Sequence, residues 1–421
     1  MAENHGSMHA KAEIISIGDE ILYGQTLDTN SHWISGALDN LGIRVARKIT
    51  IGDRKEEILN ALREAEERSD IVLITGGLGP TSDDLTKPCL VEYFDTNLVR
   101  NEKMLENIKT LFGSRGREVT PVNEAQADLP ANCTGIVNKN GTAPGMWFER
   151  NGKVMVSMPG VPYEMKQMMS DFILPKLKDQ YTEGGLYHRM IRTIGIPEST
   201  LADLIKDWES QLPEHIKLAY LPSFGTVKLR LTGNGNEEDL KAEMQQLIDQ
   251  VLPRISKYVY GFDNEEIEEA IGRMLKERNL KLAVAESCTG GFLGHKITSV
   301  PGSSNWFNGG AIVYSNEAKN EELKVPQEIL EEHGAVSEPV VLALAKNVRS
   351  AFNSEVGISI SGVAGPTGGT PEKPVGTVWI GYSDQHRTVA KKFQFLKDRE
   401  INIKASTIAA LNMVRINLDK D

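Results

Sequence analysis

Short apolar runs, each followed by an amphipathic helical stretch and each ending in glycine or acid, constrain this chain more than any other feature. Residues 13–17, 44–49 and 71–75 read as strands, with helices over 30–41 and 55–68 between them. Such βαβ alternation demands a parallel sheet covered by helices on both faces. Ligands then sit beyond the C-terminal ends of the strands. Those ends carry Gly18-Asp19-Glu20, Gly76-Gly77-Leu78-Gly79-Pro80 and, after a further run over 153–158, Pro159-Gly160-Val161-Pro162.

From about 172 to 262 the pattern changes to a helix at 201–211, a strand at 226–232, a helix at 237–251 and a short strand at 257–260. This is a small α+β module. Nucleic-acid binding in the KH manner needs a GxxG loop, and the segment offers only Gly233-Asn234-Gly235, so a spacer or dimerisation module is the reading adopted. A helix at 265–278 opens a third unit, with strands at 280–285, 310–314, 356–361 and 376–382 and helices at 340–352 and 399–414. The fold class expected is therefore α/β: two α/β domains with mainly parallel sheets, over 11–171 and 263–421, joined by the α+β module over 172–262. Gly6-Ser7-Met8 reads as a cloning remnant before a native start near Met8, and residues 1–10 are set aside.

A formal net charge of -11, with lysine and arginine dispersed, argues against a broad phosphate-neutralising surface and hence against direct nucleic-acid binding. Cys89, Cys133 and Cys288 are odd in number and far apart, which suggests neither a disulfide framework nor a CxxC metal site. A reducing compartment fits, and with no long apolar run and no signal-peptide core the protein is expected in the cytoplasm, away from membranes.

Three segments of the last unit converge. In Ala285-Glu286-Ser287-Cys288-Thr289-Gly290-Gly291 an apolar strand runs into small residues and then a helix at 292–298. Ser287 is thereby placed at a strand-to-helix turn, with the N–H groups of Thr289, Gly290 and Gly291 expected to face a phosphate or an oxyanion. The same residues also read as a plain glycine-rich cap. In Tyr314-Ser315-Asn316-Glu317-Ala318-Lys319, Ser315 or Asn316 caps a helix whose first turn holds Lys319. The helix dipole and partial burial both disfavour its ammonium form, which makes it a candidate base. Ser361 to Gly369, with Gly365 and Gly369, lets backbone approach a ligand, and Arg399 offers a phosphate contact or a simple helix start. Cys288 is the rival nucleophile, or a small core filler.

In the first unit, Gly76, Gly77 and Gly79 can cradle phosphate with backbone N–H groups while Asp83 and Asp84 hold a divalent cation. The Lys-Ser/Thr of a triphosphatase loop is missing. Asp19, Glu20 and Glu164 are read as outer partners of the metal or as helix caps, and the Asp28-Thr29-Asn30 triplet adds Asn30 as a substrate contact.

AESCTGG, YSNEAK, HGAVSEPV, SISGVAGPTGG and KPVGTVW together resemble the CinA C-terminal domain family over roughly 265–416. The N-terminal loops resemble the molybdopterin-binding-like domain of CinA proteins over roughly 11–170, and the whole chain looks like full-length CinA with its KH-like middle domain. The resemblance implies a nicotinamide-nucleotide amidase with Ser287 as nucleophile, Lys319 as base and Tyr314 in support, acting on nicotinamide mononucleotide without a metal. It also implies a metal-dependent pyrophosphatase, with Mg2+ or a similar divalent cation, that splits ADP-ribose into AMP and ribose 5-phosphate. A homodimer is implied as well. The competing readings are a non-catalytic pterin- or nucleotide-binding module and, as the family's competence-linked name suggests, a binding or scaffold protein for DNA uptake.

Overall fold

The computed structural model describes residues 10–81, 83–114, 116–181 and 186–419; residues 1–9 and Ser82 of the glycine-acid loop lie outside them. Two compact units emerge, one built on the chain up to 187 with 233–240 and one on 188–232 with 241–421.

The first unit is built on a six-stranded sheet. Arg44–Ile51, Lys11–Ile17, Ile71–Thr75 and Lys153–Met158 run parallel in that spatial order, and Gly145–Arg150 and Thr134–Ile136 extend the edge antiparallel. Side chains alternate between faces because the strand period is two. Ile71 and Leu73 therefore join Ile34 and Leu38 of the helix Thr29–Asp39, while Val72 and Ile74 join Ile58 and Leu62 of the helix Lys55–Arg68. Burial on both faces explains why 71–75 is apolar throughout. The helical run that begins at Pro162 continues to Tyr181, past the boundary expected at 171, because Ile173 and Leu177 are buried with Ile14 and Val156.

The second unit holds two sheets. Its α+β part is four-stranded, ordered Ile216–Ser223, Thr226–Asn234, Leu186–Ile194, Val259–Phe262. Two of these strands were not expected, and the strand expected at 257–260 begins later, after a 3-10 turn at Ser256–Tyr258. The second sheet runs Phe307–Ile312, Leu282–Glu286, Val356–Gly362 in parallel, then Thr377–Ser383 and Thr388–Gln394 antiparallel. Leu282 and Val284 face a core with Ile271, Leu293 and Leu411, whereas Ala283 and Ala285 face Val340, Leu344 and Val348. Among the described residues, no helix is long and apolar enough to cross a membrane.

Both larger sheets share one topological feature. From Lys11–Ile17 the chain builds Arg44–Ile51 on one side and Ile71–Thr75 on the other; from Leu282–Glu286 it builds Phe307–Ile312 on one side and Val356–Gly362 on the other. At such a switch point the loops after the central strands diverge and open a crevice. Gly18, Glu20 and the Gly76 loop line the first crevice, and Ser287 and the loop after Gly362 stand at the corresponding strand ends of the second sheet.

Candidate active sites

Ser287 follows directly on the strand Leu282–Glu286, anchored by its N–H donating to the Ile360 carbonyl at 3.1 Å. The Ser315 hydroxyl caps the helix Asn316–Glu321 by accepting from the Ala318 N–H, and from this helix Lys319 turns inward. Lys319 Nζ lies 3.1 Å from Ser287 Oγ, with both residues buried. The Val313 and Tyr314 carbonyls accept from Nζ at 2.8 and 3.2 Å. A third carbonyl, that of Ser315, lies farther off at 3.4 Å; a neutral amine has two hydrogens and one lone pair, and with the hydrogens on the two nearer carbonyls the lone pair is left for the Ser287 hydroxyl. Burial brings the Lys319 pKa down to about 8, outweighing the opposing pulls of Cys288 and Glu317. The cause is burial, whereas the sequence had also pointed to the helix dipole.

Burial pushes the neighbouring Cys288 thiol up to about 12. It therefore stays protonated at neutral pH, and the rival nucleophile is disarmed.

The glycine turn corrects one expectation. Gly290 and Gly291 adopt positive φ (60° and 98°), and their N–H groups turn back into the loop: Gly290 donates to the Ser287 carbonyl and Gly291 to the Glu286 carboxylate. Of the three N–H groups expected to face the site, only that of Thr289 is left without a partner among the described residues, and the buried Thr289 Oγ1 is unpartnered too. Glu286, which sequence reasoning missed, accepts from Gly291, Leu293 and Gly294 at 3.1, 3.0 and 2.7 Å. This buried carboxylate caps the helix Phe292–Thr298 and so fixes the peptide that carries Ser287. An acid at a strand end, a few residues before a helix, was the available signal.

Tyr314 takes part differently from the expectation. Its carbonyl accepts from Lys319, while its exposed phenol accepts from Arg399 at 3.3 Å rather than meeting the dyad. Arg399, the first residue of the helix Arg399–Leu418, also donates to the Gly365 carbonyl at 2.9 Å. Arg399 thus ties the Tyr314 and Gly365 loops together at the crevice. Gly369 lies farther along the same loop, where a Cβ would come within 2.7 Å of the Val375 nitrogen.

The first crevice is a cavity of about 610 Å³ lined by Gly18, Glu20, Asn30, Gly76, Gly77, Gly79, Asp83, Asp84 and Glu164. Gly76 lies across the end of the first strand, with φ 110°, where a Cβ would come within 2.1 Å of the Ile17 carbonyl oxygen. Its N–H donates to Met158, so the phosphate cradle expected from three glycines reduces to Gly77 and Gly79. Asn30 donates from Nδ2 to Thr75 Oγ1 and to the Gly160 carbonyl, leaving its buried Oδ1 unpartnered. Glu164 accepts from Asn138 Nδ2 at 2.7 Å and packs on Gly141, which marks it as part of the wall.

The carboxylates divide unexpectedly. Asp84 accepts from the Thr81 N–H at 2.9 Å, and Asp83 is exposed, held below the usual carboxylate range by a Thr81 hydrogen bond. Asp53, at the end of the second strand, was missed although the strand-end rule reaches it. Burial and the charges of Glu20, Asp19 and Asp84 raise its pKa, so these four acids share one field. No cluster of three potential ligands is preformed among the described residues. A Mg2+ ion needs only one or two carboxylates when water and substrate phosphates complete its shell, and the donor set fits that mode.

Comparison with known proteins matches three families in order. A probable molybdopterin binding domain covers residues 13–179, the damage-inducible protein CinA KH domain 188–261 and the CinA C-terminal domain 264–418. A CinA-like protein of Cytophaga hutchinsonii is 53% identical over 411 residues, spanning 97% of this chain and 98% of the relative. One of Flavobacterium psychrophilum is 42% identical over 407 residues, spanning 96% and 97%. A crystal structure of CinA from Thermoplasma acidophilum, described as of unknown function, is 34% identical and covers 41% of this chain and 99% of its own, with a TM-score of 0.37.

Proposed function

This chain belongs to the CinA family, and from that premise we propose that its C-terminal crevice hydrolyses the carboxamide of nicotinamide mononucleotide to nicotinate mononucleotide and ammonia. The observation that carries the reading is the buried Lys319 amine 3.1 Å from Ser287 Oγ. Ser287 Oγ attacks the carboxamide carbon as its proton passes to Lys319 Nζ. The free N–H and hydroxyl of Thr289 are the donors available to the developing oxyanion. Lys319 then returns the proton to the departing nitrogen, ammonia leaves, and water activated by the same amine cleaves the acyl ester. Arg399, held between Gly365 and Tyr314, supplies the cation for the substrate phosphate. Equal amounts of ammonia and nicotinate mononucleotide from nicotinamide mononucleotide are expected; a chain that releases neither overturns the reading.

The N-terminal cavity supports a second reading, hydrolysis of ADP-ribose to AMP and ribose 5-phosphate. A divalent cation, held by one or two of the acids around Asp84 and Asp53 with water and substrate phosphates completing its shell, would neutralise the diphosphate and activate water. The Gly77 and Gly79 N–H groups bind phosphate, and Asn30 Oδ1 accepts from a ribose hydroxyl. AMP release is expected only with added Mg2+, and Asp84→Asn is expected to lower it about tenfold to hundredfold. No AMP under any condition would favour a binding-only pterin or nucleotide module; retention on DNA that falls steeply with salt would favour the scaffold reading.

A further inference from the structure

Within the second unit a groove of about 760 Å³ separates the α+β sheet from the edge strand Thr388–Gln394 and the helix Arg399–Leu418. None of Ser287, Lys319, Tyr314, Gly365 and Arg399 lines it. Its floor is aromatic: Phe393 and Phe395 stack with centroids 5.6 Å apart, and Phe224, from the α+β part, meets Phe395 edge-on at 6.4 Å. Phe224 is partly open to solvent, so one ring face is available to a planar guest.

The polar lining has one sign. Lys257, Arg387, Lys391 and Arg415 border the groove, and no Asp or Glu does, in a chain whose net charge is -11. The two arginines are engaged with carboxylates, Arg387 with Asp384 and Arg415 with Asp419. Lys257 and Lys391 form no ion pair among the described residues; their ammonium groups lie over the Tyr258 and Phe393 rings, at 4.8 and 5.1 Å. Each cation is thus carried on an aromatic face at the rim of an apolar slot. A ligand that satisfies both features has a flat ring for the phenylalanines and an anionic group for the lysines.

We propose that this groove is a nucleotide-binding site, which takes a nucleoside monophosphate with its base against Phe224 and Phe395 and its phosphate at Lys257 and Lys391. The site is independent of the Ser287–Lys319 dyad. AMP serves as the probe, with the full-length chain acetylated by a lysine-selective reagent and each lysine followed by mass spectrometry. Near-saturating AMP, at about ten times its Kd, is expected to slow acetylation of both Lys257 and Lys391 roughly tenfold by mass action. Adenosine alone and inorganic phosphate alone are expected to protect poorly, since each supplies half of the recognition. Phe224→Ala, at a partly exposed position, is expected to abolish the protection while ammonia release from nicotinamide mononucleotide stays as in the wild type. The proposal is overturned if AMP leaves both lysines unprotected, if phosphate protects as well as AMP, or if a single-stranded oligonucleotide protects at far lower concentration than AMP.

Discussion

Lys319→Met is expected to reduce kcat for ammonia release by about a thousandfold, within the range typical of a lost general base, with little change in KM. Methionine fills nearly the same volume but can neither take the Ser287 proton nor return one to the leaving nitrogen. The wild-type pH profile provides the sign. With a pKa of about 8, only about a tenth of Lys319 is neutral at pH 7, so kcat/KM should climb with pH, pass half its maximum near 8 and level off above about 9. A profile that falls over this range would contradict the assignment.

The same amine carries a stability cost with a defined direction. Its folded-state pKa, about 8, lies below the ordinary 10.5, so between those values the unfolded chain binds more protons and stability rises with pH. Below about pH 8 the full penalty is present, on the order of 3 kcal/mol. Lys319→Met removes it but also strips partners from the Val313 and Tyr314 carbonyls. The two effects oppose each other, and the melting temperature should shift by no more than about 5 °C at pH 7.

Glu286→Ala is expected to be the more damaging change for the fold. It removes a carboxylate that accepts three backbone N–H groups and leaves them in a site too tight to hydrate fully. At about 1–3 kcal/mol for each unsatisfied buried group, partly relieved by fraying of the helix Phe292–Thr298, a loss of about 3–5 kcal/mol follows. Denaturant unfolding of the second unit would measure it. Glu286→Gln keeps one acceptor oxygen and should recover part of the stability and, with it, the placement of Ser287. Equal stability of Glu286→Ala and wild type would remove the capping role.

Much of this was legible from local pattern. The helix Lys55–Arg68 and the strands Ile71–Thr75 and Lys153–Met158 were read at their observed bounds because each meets a core face in a regular period. Ser287 and Lys319 were legible because a strand end and a helix cap are written in neighbouring residues. The strand Thr388–Gln394 was missed because it pairs on one side only and is largely exposed, so its sequence shows no alternation. Leu186–Ile194 escaped for a related reason: much of its stability comes from strands distant in sequence. The directions of the Gly290 and Gly291 N–H groups depend on a positive φ that glycine permits without requiring. Asp53 joined the acids of the first crevice only once the parallel sheet had brought two strand ends together.

The central claim is that an activated serine, and no metal, cleaves the amide. Ammonia release from nicotinamide mononucleotide, measured after chelator treatment for the wild-type chain and for Ser287→Ala side by side, tests it most directly. The predicted result is full activity in the chelated wild type and a loss of about a thousandfold or more in Ser287→Ala; equal ammonia release from both chains would contradict it.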